Sequence, residues 1–291
     1  MEPWRNAPRS IIDAHHHLWN RGRHPQPWID PVSMAAIDAD FGLEDLAAQT
    51  QPSGVRGTVV VQSIHSEAET GDLLSTAAHS ELIMGVVGWV NIAAPDVTDR
   101  VHRLRTMPGG GKLVGIRHLV QNEPDPAFLE RGDIRRGIAA VADAGLVFDL
   151  VIRHHQLPAV IELVAGLPQV SFVLDHLGKP PLAGAELRGW AGHLRTLARL
   201  PNVSAKLSGL VTEANWSSWQ PADLAPAVFH ALDTFGPGRL MFGSDWPVCL
   251  LAAGYHDWVR ALGELLAGRD EQEHGQIWRQ TACRVYRLVG D

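Results

Sequence analysis

The stretch Val170-Ser171-Phe172-Val173-Leu174-Asp175-His176 combines the two features that decide the fold of this chain. Its first five residues form a nearly continuous run of apolar, β-branched and aromatic side chains. Such a run is typical of a parallel strand that is covered on both faces. Its last two residues are ionisable and stand where that strand would end. The stretch therefore predicts a buried strand with polar side chains at its carboxyl end.

Including this stretch, the sequence contains eight short apolar runs bounded by turn residues. We predict strands at Ser10–Ala14, Gly57–Gln62, Met84–Val90, Leu113–Arg117, Leu146–Ile152, Val170–Asp175, Val203–Leu207 and Leu240–Gly243. The segments between the runs have the periodicity of amphipathic helices. We predict these helices at Leu43–Gln51, Glu67–His79, Val97–Met107, Ile134–Ala144, Leu157–Ala165, Leu187–Leu200, Asp223–Phe235, His256–Leu266 and Asp270–Val289.

Strict alternation of eight strands with helices closes most naturally as a (β/α)8 TIM barrel. The length of 291 residues suits one such α/β domain spanning Met1–Asp291, since the fold typically takes about 250 residues. A doubly wound open sheet is the alternative. It is disfavoured because no GxGxxG motif follows the first strand.

Composition excludes several classes of protein. The net charge is −7, and the lysines and arginines are scattered, so the basic surface of a nucleic-acid-binding protein is missing. No stretch approaches the ~18 unbroken apolar residues of a membrane span. Cys249 and Cys283 are the only cysteines and cannot form a disulfide framework. We therefore expect a cytoplasmic protein that binds neither nucleic acid nor a membrane. Its expected partner is a small molecule, and its expected state is a monomer or a small homo-oligomer.

In TIM barrels the active site lies at the carboxyl ends of the strands. Seven of the eight predicted strand ends carry a His, Lys or Asp residue. His15 and His17 are two residues apart on an extended segment, so their side chains point to the same side, whereas His16 points away. Asp245 follows the last strand, and barrel closure makes the first and last strands neighbours. We expect Asp245 to lie beside His15 and His17.

Three motifs at these strand ends carry a resemblance to a known family. They read Ile12-Asp13-Ala14-His15-His16-His17-Leu18-Trp19, Leu174-Asp175-His176-Leu177-Gly178-Lys179-Pro180 and Phe242-Gly243-Ser244-Asp245-Trp246-Pro247. Their order and spacing resemble the amidohydrolase superfamily, in its amidohydrolase 2 branch. Within that branch the chain is most similar to the sugar lactonases, which include L-fuconolactone and L-rhamnonolactone hydrolases, and to the pyrone-dicarboxylate lactonase. Gly115-Ile116-Arg117-His118 and Lys206-Leu207-Ser208-Gly209 are also similar to that group.

The resemblance implies hydrolysis of the ester ring of a sugar-acid lactone. Binuclear members carry a strand-four lysine or acid that bridges two metals, and this strand instead ends in Ile116-Arg117-His118. A binuclear centre is therefore not expected. One divalent ion, such as Zn²⁺, on His15, His17, His176 and Asp245 remains open. The lactonase branch implies that no metal is strictly required.

Lactone opening needs an activated water, a polarised carbonyl and a proton for the departing alkoxide. Asp245 is the predicted base, and it can return the proton to the leaving oxygen. His15, His17 and His176 can stabilise the oxyanion, with Arg117 or Lys206 as a nearby positive charge. The residues predicted to bind substrate are Gln62, Arg117, His118, His154, Lys206, Trp28 and Trp246.

The tryptophans favour an uncharged substrate, because a flat aromatic face suits a polyol whereas a dicarboxylate calls for clustered arginines. A metal-dependent decarboxylase and a dicarboxylate lactonase on the same scaffold are the alternative enzymes. A sugar-binding barrel without catalysis is the alternative outside enzymes.

Overall fold

The eight predicted strands form one parallel sheet whose spatial order follows the sequence. The structure is a computed structural model and describes residues 10–184 and 186–288. The strands are β1 Ile11–His16, β2 Val55–Val61, β3 Ile83–Gly88, β4 Leu113–His118, β5 Val147–Leu150, β6 Phe172–Leu174, β7 Val203–Leu207 and β8 Leu240–Phe242. The expected (β/α)8 barrel is confirmed.

The barrel closes where the residues after β8 meet β1. His16 and Trp246 form a parallel bridge. The Asp245 amide donates to the His15 carbonyl, and the His17 amide donates to the Trp246 carbonyl, both at 2.7 Å. These two hydrogen bonds fix the backbone of Asp245 against that of the two histidines.

Helices surround the sheet and alternate with the strands. They are α1 Leu43–Thr50, α2 Glu67–Ala78, α3 Val97–Thr106, α4 Gly132–Asp143, α5 Leu157–Gly166, α6 Arg188–Ala198, α7 Pro221–Phe235, α8 Tyr255–Leu265, α9 Glu271–Gly275 and α10 Thr281–Tyr286. No helix among residues 10–184 and 186–288 has the length and apolar character that crossing a bilayer requires.

The prediction of one continuous helix over Asp270–Val289 is wrong. A π-helical turn, Gln276–Gln280, separates α9 from α10, and α10 ends at Tyr286 because Arg287 is left-handed at φ 52°. The wider turn lets Ile277 and Trp278 both be buried, with the Trp278 ring 4.8 Å from that of Phe242 in β8. The predicted end, Val289, lies outside the described residues.

Two apolar layers leave one end of the barrel open. The larger core lies between strands and helices. A smaller cluster inside the barrel includes Ile12, Val59 and Met241, and it packs against Val285 and Tyr286 of α10. Because this cluster and α10 fill the amino-terminal end, the polar side chains at the carboxyl ends of the strands face the open end.

Candidate active site

Three of the predicted site residues come together where β1 meets the segment after β8. His15 Nε2 lies 3.3 Å from His17 Nε2. Asp245 Oδ1 lies 3.6 Å from His15 Nε2 and 3.5 Å from His17 Nε2. His16 points away and bonds to Thr58. The adjacency expected from barrel closure is therefore present in the structure.

His176 joins this group from the end of β6. Its Nε2 lies 3.9 Å from Asp245 Oδ1, and its Nδ1 lies 2.9 Å from the Ser208 hydroxyl. His176 and Asp245 both adopt left-handed backbone conformations, at φ 53° and 57°. Non-glycine residues rarely adopt this conformation, and they cluster at functional sites where the surrounding structure holds them.

Gly209 has no side chain and therefore leaves space for the side chains of His176 and Asp245. It has φ 61°, and a Cβ at this position would lie 2.5 Å from His176 Nδ1 and 2.9 Å from Asp245 Oδ2. Neither distance is compatible with unmoved neighbours, so a glycine is required by both conformation and space.

A buried carboxylate, Asp13, ties β1 to β8 below the site. It accepts hydrogen bonds from the amides of Ser244, at 2.8 Å, and His15, at 3.1 Å, and from the Tyr255 hydroxyl at 3.0 Å. Burial raises the pKa of Asp13 to about 6, although these bonds oppose the shift. Asp13 has no open face, so its geometry is that of a support for the backbone of His15.

Lys206 lies beneath the site, which corrects the expectation that it contacts substrate. Its side chain is completely buried, and its Nζ lies 2.6 Å from Asp149 and 2.9 Å from Asp175. The same Nζ lies 3.1 Å from Nδ1 of His15. The side chain of this β7 residue therefore points into the barrel interior and contacts the rear of His15.

Arg117 lies at the edge of this buried charged layer, beside the catalytic candidates. Its Nη1 lies 3.0 Å from Asp175 Oδ2 and 3.3 Å from His15 Nε2. Its Nη2 donates to the Gln62 carbonyl. Burial acts to raise the pKa of Asp175, but Lys206, His15 and Arg117 hold it well below the usual value. Burial raises the pKa of the other carboxyl group of the layer, Asp149, to about 6.

The surroundings at the open end of the barrel shift the pKa values of Asp245 and of the histidines beside it. Burial acts to raise the pKa of Asp245, but His176, His17 and His15 together hold it below the usual value for aspartate. Burial lowers the pKa of His176 to about 4, and it lowers that of His15 well below 6.5. The neighbouring histidines therefore favour the ionised form of Asp245, and burial favours the uncharged forms of His15 and His176.

The donor atoms suit one divalent metal ion. The separations of His15 Nε2, His17 Nε2 and Asp245 Oδ1, from 3.3 to 3.6 Å, are close to the edge of about 3.3 Å of a tetrahedron with zinc–ligand bonds of about 2.0–2.1 Å. His17 Nδ1 lies 2.8 Å from the Val61 carbonyl, and a proton on Nδ1 leaves Nε2 free as a ligand. The Arg117 guanidinium, 3.3 Å from His15 Nε2, opposes a second cation nearby.

His118 belongs to a separate group with His65 and Glu123. His118 Nε2 lies 2.6 Å from Glu123 Oε1, and its Nδ1 accepts from Trp89 at 3.2 Å. The rings of His65 and His118 stack at 4.1 Å, and His65 Nε2 accepts from the Leu119 amide. These ring nitrogens already have partners, so the group has the geometry of an aromatic stack closing the β2 and β4 loops.

The other residues predicted to bind substrate differ in their contacts and in their exposure to solvent. Gln62 donates to the Arg117 carbonyl at 3.2 Å. Trp28 is half-buried, and it packs edge-on against Trp19 at 5.7 Å. Trp246 is only 2% exposed and packs edge-on against Phe41. The expectation that Trp246 offers an aromatic face to substrate is therefore corrected by its burial.

An open cavity of about 440 Å³ lies beyond the ends of β5, β6 and β7. It is lined by Arg153, His154, Lys179, Pro181, Ala183, Gly184 and Glu213. Burial raises the pKa of Glu213, and the negative charge of Asp245 contributes to the rise, whereas Lys179 and Arg153 oppose it. The cavity contains His154, one of the residues predicted to bind substrate, and its Glu213 lies within electrostatic range of Asp245.

Lys179 and Glu213 line this cavity but were not predicted from the sequence as site residues. Lys179 belongs to the same family motif as His176 and follows it by three residues. Its closeness to the site could therefore have been predicted from the sequence. Glu213 ends a 3-10 turn, Val211–Glu213, in the loop after β7. No periodic pattern locates a residue in such a loop.

A family model described as amidohydrolase matches residues 12–288. The L-fucono-1,5-lactonase of Burkholderia multivorans is 39% identical over 289 residues, which cover 95% of this chain and 96% of that protein. The L-fucono-1,5-lactonase of Burkholderia ambifaria is 34% identical, with 95% of each chain covered. Two crystal structures of an amidohydrolase from Burkholderia multivorans, one with bound HEPES and one with bound zinc, superpose with a TM-score of 0.90. Each is 37% identical and covers 96% of this chain and 99% of that chain.

Proposed function

The chain belongs to the amidohydrolase family, and from this premise we propose that it is a hydrolase that opens the ester ring of a sugar-acid lactone to give the free aldonic acid. The observation that carries the proposal is the convergence of ionised Asp245 with His15, His17 and His176 at the open end of the barrel. Two relatives at 34% and 39% identity are L-fucono-1,5-lactonases. L-fucono-1,5-lactone is therefore the first substrate to test.

We assign the proton transfers to Asp245. Its carboxylate takes a proton from a water molecule as the water oxygen attacks the lactone carbonyl carbon. The ring C–O bond then breaks, and the same carboxyl group returns the proton to the departing alkoxide. One group thus serves both steps and ends in its starting state.

The oxyanion that forms during attack needs donors fixed in advance. Arg117 holds a positive charge within 3.3 Å of His15 Nε2, and neutral His15 and His176 can each offer one ring N–H. Preorganised donors of this kind usually contribute the largest share of catalysis in acyl transfer. Lys206 acts from behind as a positioning residue, because its Nζ contacts His15 Nδ1 and the two buried aspartates.

A single divalent ion fits the donor set of His15, His17 and Asp245, with His176 adjacent. When bound, it supplies Lewis acidity at the carbonyl and lowers the pKa of water. We propose that the chain binds at most one such ion, since the Arg117 guanidinium lies where a second positive charge would be opposed. Metal content by mass spectrometry should not exceed one ion per chain, and two tightly held ions would contradict this proposal.

A pH-indicator assay over a panel of lactones tests the function. Hydrolysis releases acid, whereas the alternative decarboxylation consumes it. We expect saturable acid release from L-fucono-1,5-lactone, measured with and without a chelator. Loss of activity with chelator and recovery with Zn²⁺ would show that the metal is required. Absence of acid release from every lactone would refute the proposed function.

We further propose that the chain forms one domain and works in the cytoplasm. The family match over residues 12–288 supports one domain. Cys249 and Cys283 are both free thiols, which suits a reducing compartment. A monomer or small homo-oligomer stays a prediction.

A further inference from the structure

Lys179 and Glu213 both line the cavity, and Glu213 lies within electrostatic range of Asp245. Lys179 Nζ is 3.7 Å from Glu213 Oε1, and the two side chains are 23% and 24% exposed. At this distance the charges attract, but the contact is longer than a hydrogen bond. Each group therefore keeps hydrogen-bonding capacity for a molecule in the cavity.

The backbone ties this pair to the catalytic candidates. The Lys179 amide donates to the His176 carbonyl at 2.8 Å, and Lys179 is left-handed at φ 56°. Glu213 is four residues after Gly209, which sits against His176 and Asp245. A ligand bound by Lys179 and Glu213 is thus held in a fixed position relative to His176 and Asp245.

We propose that Lys179 and Glu213 form a hydroxyl-binding pair that selects uncharged, polyhydroxylated lactones. This inference rests on the proposed lactone hydrolysis. An ammonium group only donates hydrogen bonds and a carboxylate only accepts them, whereas a hydroxyl does both. Two neighbouring ring hydroxyls can therefore accept from Lys179 Nζ and donate to Glu213. A lactone without hydroxyls leaves both partly buried groups without these partners, which lowers its rate.

The same pair disfavours a carboxylated lactone. Arg153 and Lys179 bring positive charge to this cavity, but Glu213 partly offsets it, and Asp245 lies within electrostatic range. A substrate carboxylate would meet the Glu213 charge in a partly buried setting. Residues that line the cavity of this chain thus disfavour the substrate of a dicarboxylate lactonase.

The test is a selectivity ratio, namely kcat/KM for L-fucono-1,5-lactone divided by kcat/KM for unsubstituted δ-valerolactone. We expect this ratio to fall about 10- to 100-fold in Lys179→Met and in Glu213→Met. Because both substrates are measured on one preparation, the fraction of folded protein cancels. Arg269→Met and Glu273→Met are matched controls, since that pair is also 3.7 Å apart and partly exposed but does not line the cavity; the ratio should stay at the wild-type value.

A second measurement tests the charge argument. Glu213→Gln should raise the rate with 2-pyrone-4,6-dicarboxylate, relative to L-fucono-1,5-lactone, by about fivefold or more, because it removes a negative charge near the substrate. No such rise would overturn this part of the inference.

The outcomes separate the inference from the proposed function. If wild type hydrolyses both lactones and either methionine variant keeps its ratio within twofold, the hydroxyl-binding pair is refuted and the lactonase stands. If wild type hydrolyses no lactone of the panel, both are refuted.

Discussion

Asp245 keeps a negative charge in a buried place because its neighbours compensate for desolvation. Its side chain is 5% exposed, which alone would favour the neutral acid. Three imidazoles and a left-handed backbone turn hold the carboxylate towards the open end of the barrel. A residue of this kind is an available base at neutral pH and needs little rearrangement to meet a water molecule.

At Gly209 the site depends on the absence of a side chain. Gly209→Ala should lower kcat by about 100-fold or more, because its Cβ would push against His176 and Asp245 and displacements of about 1 Å can cost that much. Steady-state kinetics with L-fucono-1,5-lactone measure the effect. Gly145→Ala is the matched control, since Gly145 also has positive φ, 76°, but the nearest atom to its Cβ would be the Arg287 tip at 3.4 Å. Equal loss in both variants would contradict the steric argument.

At His118 we predict a pH dependence of stability. Burial lowers the pKa of His118 from 6.5 to about 4. Because the unfolded chain binds this proton more tightly, the stabilisation is complete above pH 6.5 and is lost as the pH falls from 6.5 to 4. The shift corresponds to about 3 kcal/mol. Urea unfolding at pH 7.5 and pH 4.5 should show a smaller pH effect in His118→Gln than in wild type.

His102→Gln is the control for this measurement, because His102 is exposed on α3. It should retain the wild-type pH effect. An unchanged pH effect in His118→Gln would mean that folding does not shift the pKa of His118. A larger pH effect would mean that Glu123, 2.6 Å away, stabilises the protonated ring.

At the scale of elements, strands β4 to β7 carry a layer of charge through the barrel interior. Lys206 on β7 bridges Asp149 on β5 and Asp175 after β6, and the Tyr286 hydroxyl from α10 donates to Asp149 at 2.7 Å. The chain has only two tyrosines, and the other, Tyr255, donates to the buried carboxylate of Asp13. Both tyrosines thus connect helices that follow β8 to charges inside the barrel.

Lys206→Met should lower the free energy of unfolding by about 3–5 kcal/mol, because it removes the cation that contacts buried Asp149 and leaves Asp175 paired with Arg117 alone. Denaturant unfolding measures the loss. Lys112→Met is the comparison, since Lys112 donates to three backbone carbonyls, each at 2.8 Å, and contacts no carboxylate in the described structure. Its cost should be about 1–2 kcal/mol. A cost for Lys206→Met no larger than that of Lys112→Met would show that the layer is not held by charge.

The positions of strands and helices could be predicted wherever apolar residues recur at the spacing of a strand or a helix. The boundaries of β7, Val203–Leu207, agree with the sequence prediction, whereas β5 is shorter than Leu146–Ile152. The apolar run continues past β5, but its last residues have already left the sheet towards the turn at His154–Gln156. The π-helical turn before α10 could not be predicted, because a single extra residue hardly alters a helical pattern.

At the scale of the whole molecule, the meeting of His15 and His17 with Asp245 could be predicted because it follows from barrel closure. How deeply a side chain is buried could not be predicted. Lys206 and Trp246 stand beside strand ends in the sequence, but Lys206 points into the barrel interior and Trp246 packs beneath Phe41. The position of Glu213 could not be predicted for another reason, because only the conformation of a loop brings it close to Lys179.

Whether Asp245 is the base is tested by comparing acid release from L-fucono-1,5-lactone by wild type, Asp245→Asn and Asp257→Asn. Asp257 is an exposed aspartate on α8 that pairs with Arg260, so its variant controls for loss of a surface charge. We predict that Asp245→Asn lowers kcat by about 10³- to 10⁴-fold with an unchanged circular dichroism spectrum, while Asp257→Asn keeps wild-type turnover. An Asp245→Asn enzyme that keeps more than a tenth of wild-type turnover would contradict the central claim that this carboxylate is the base.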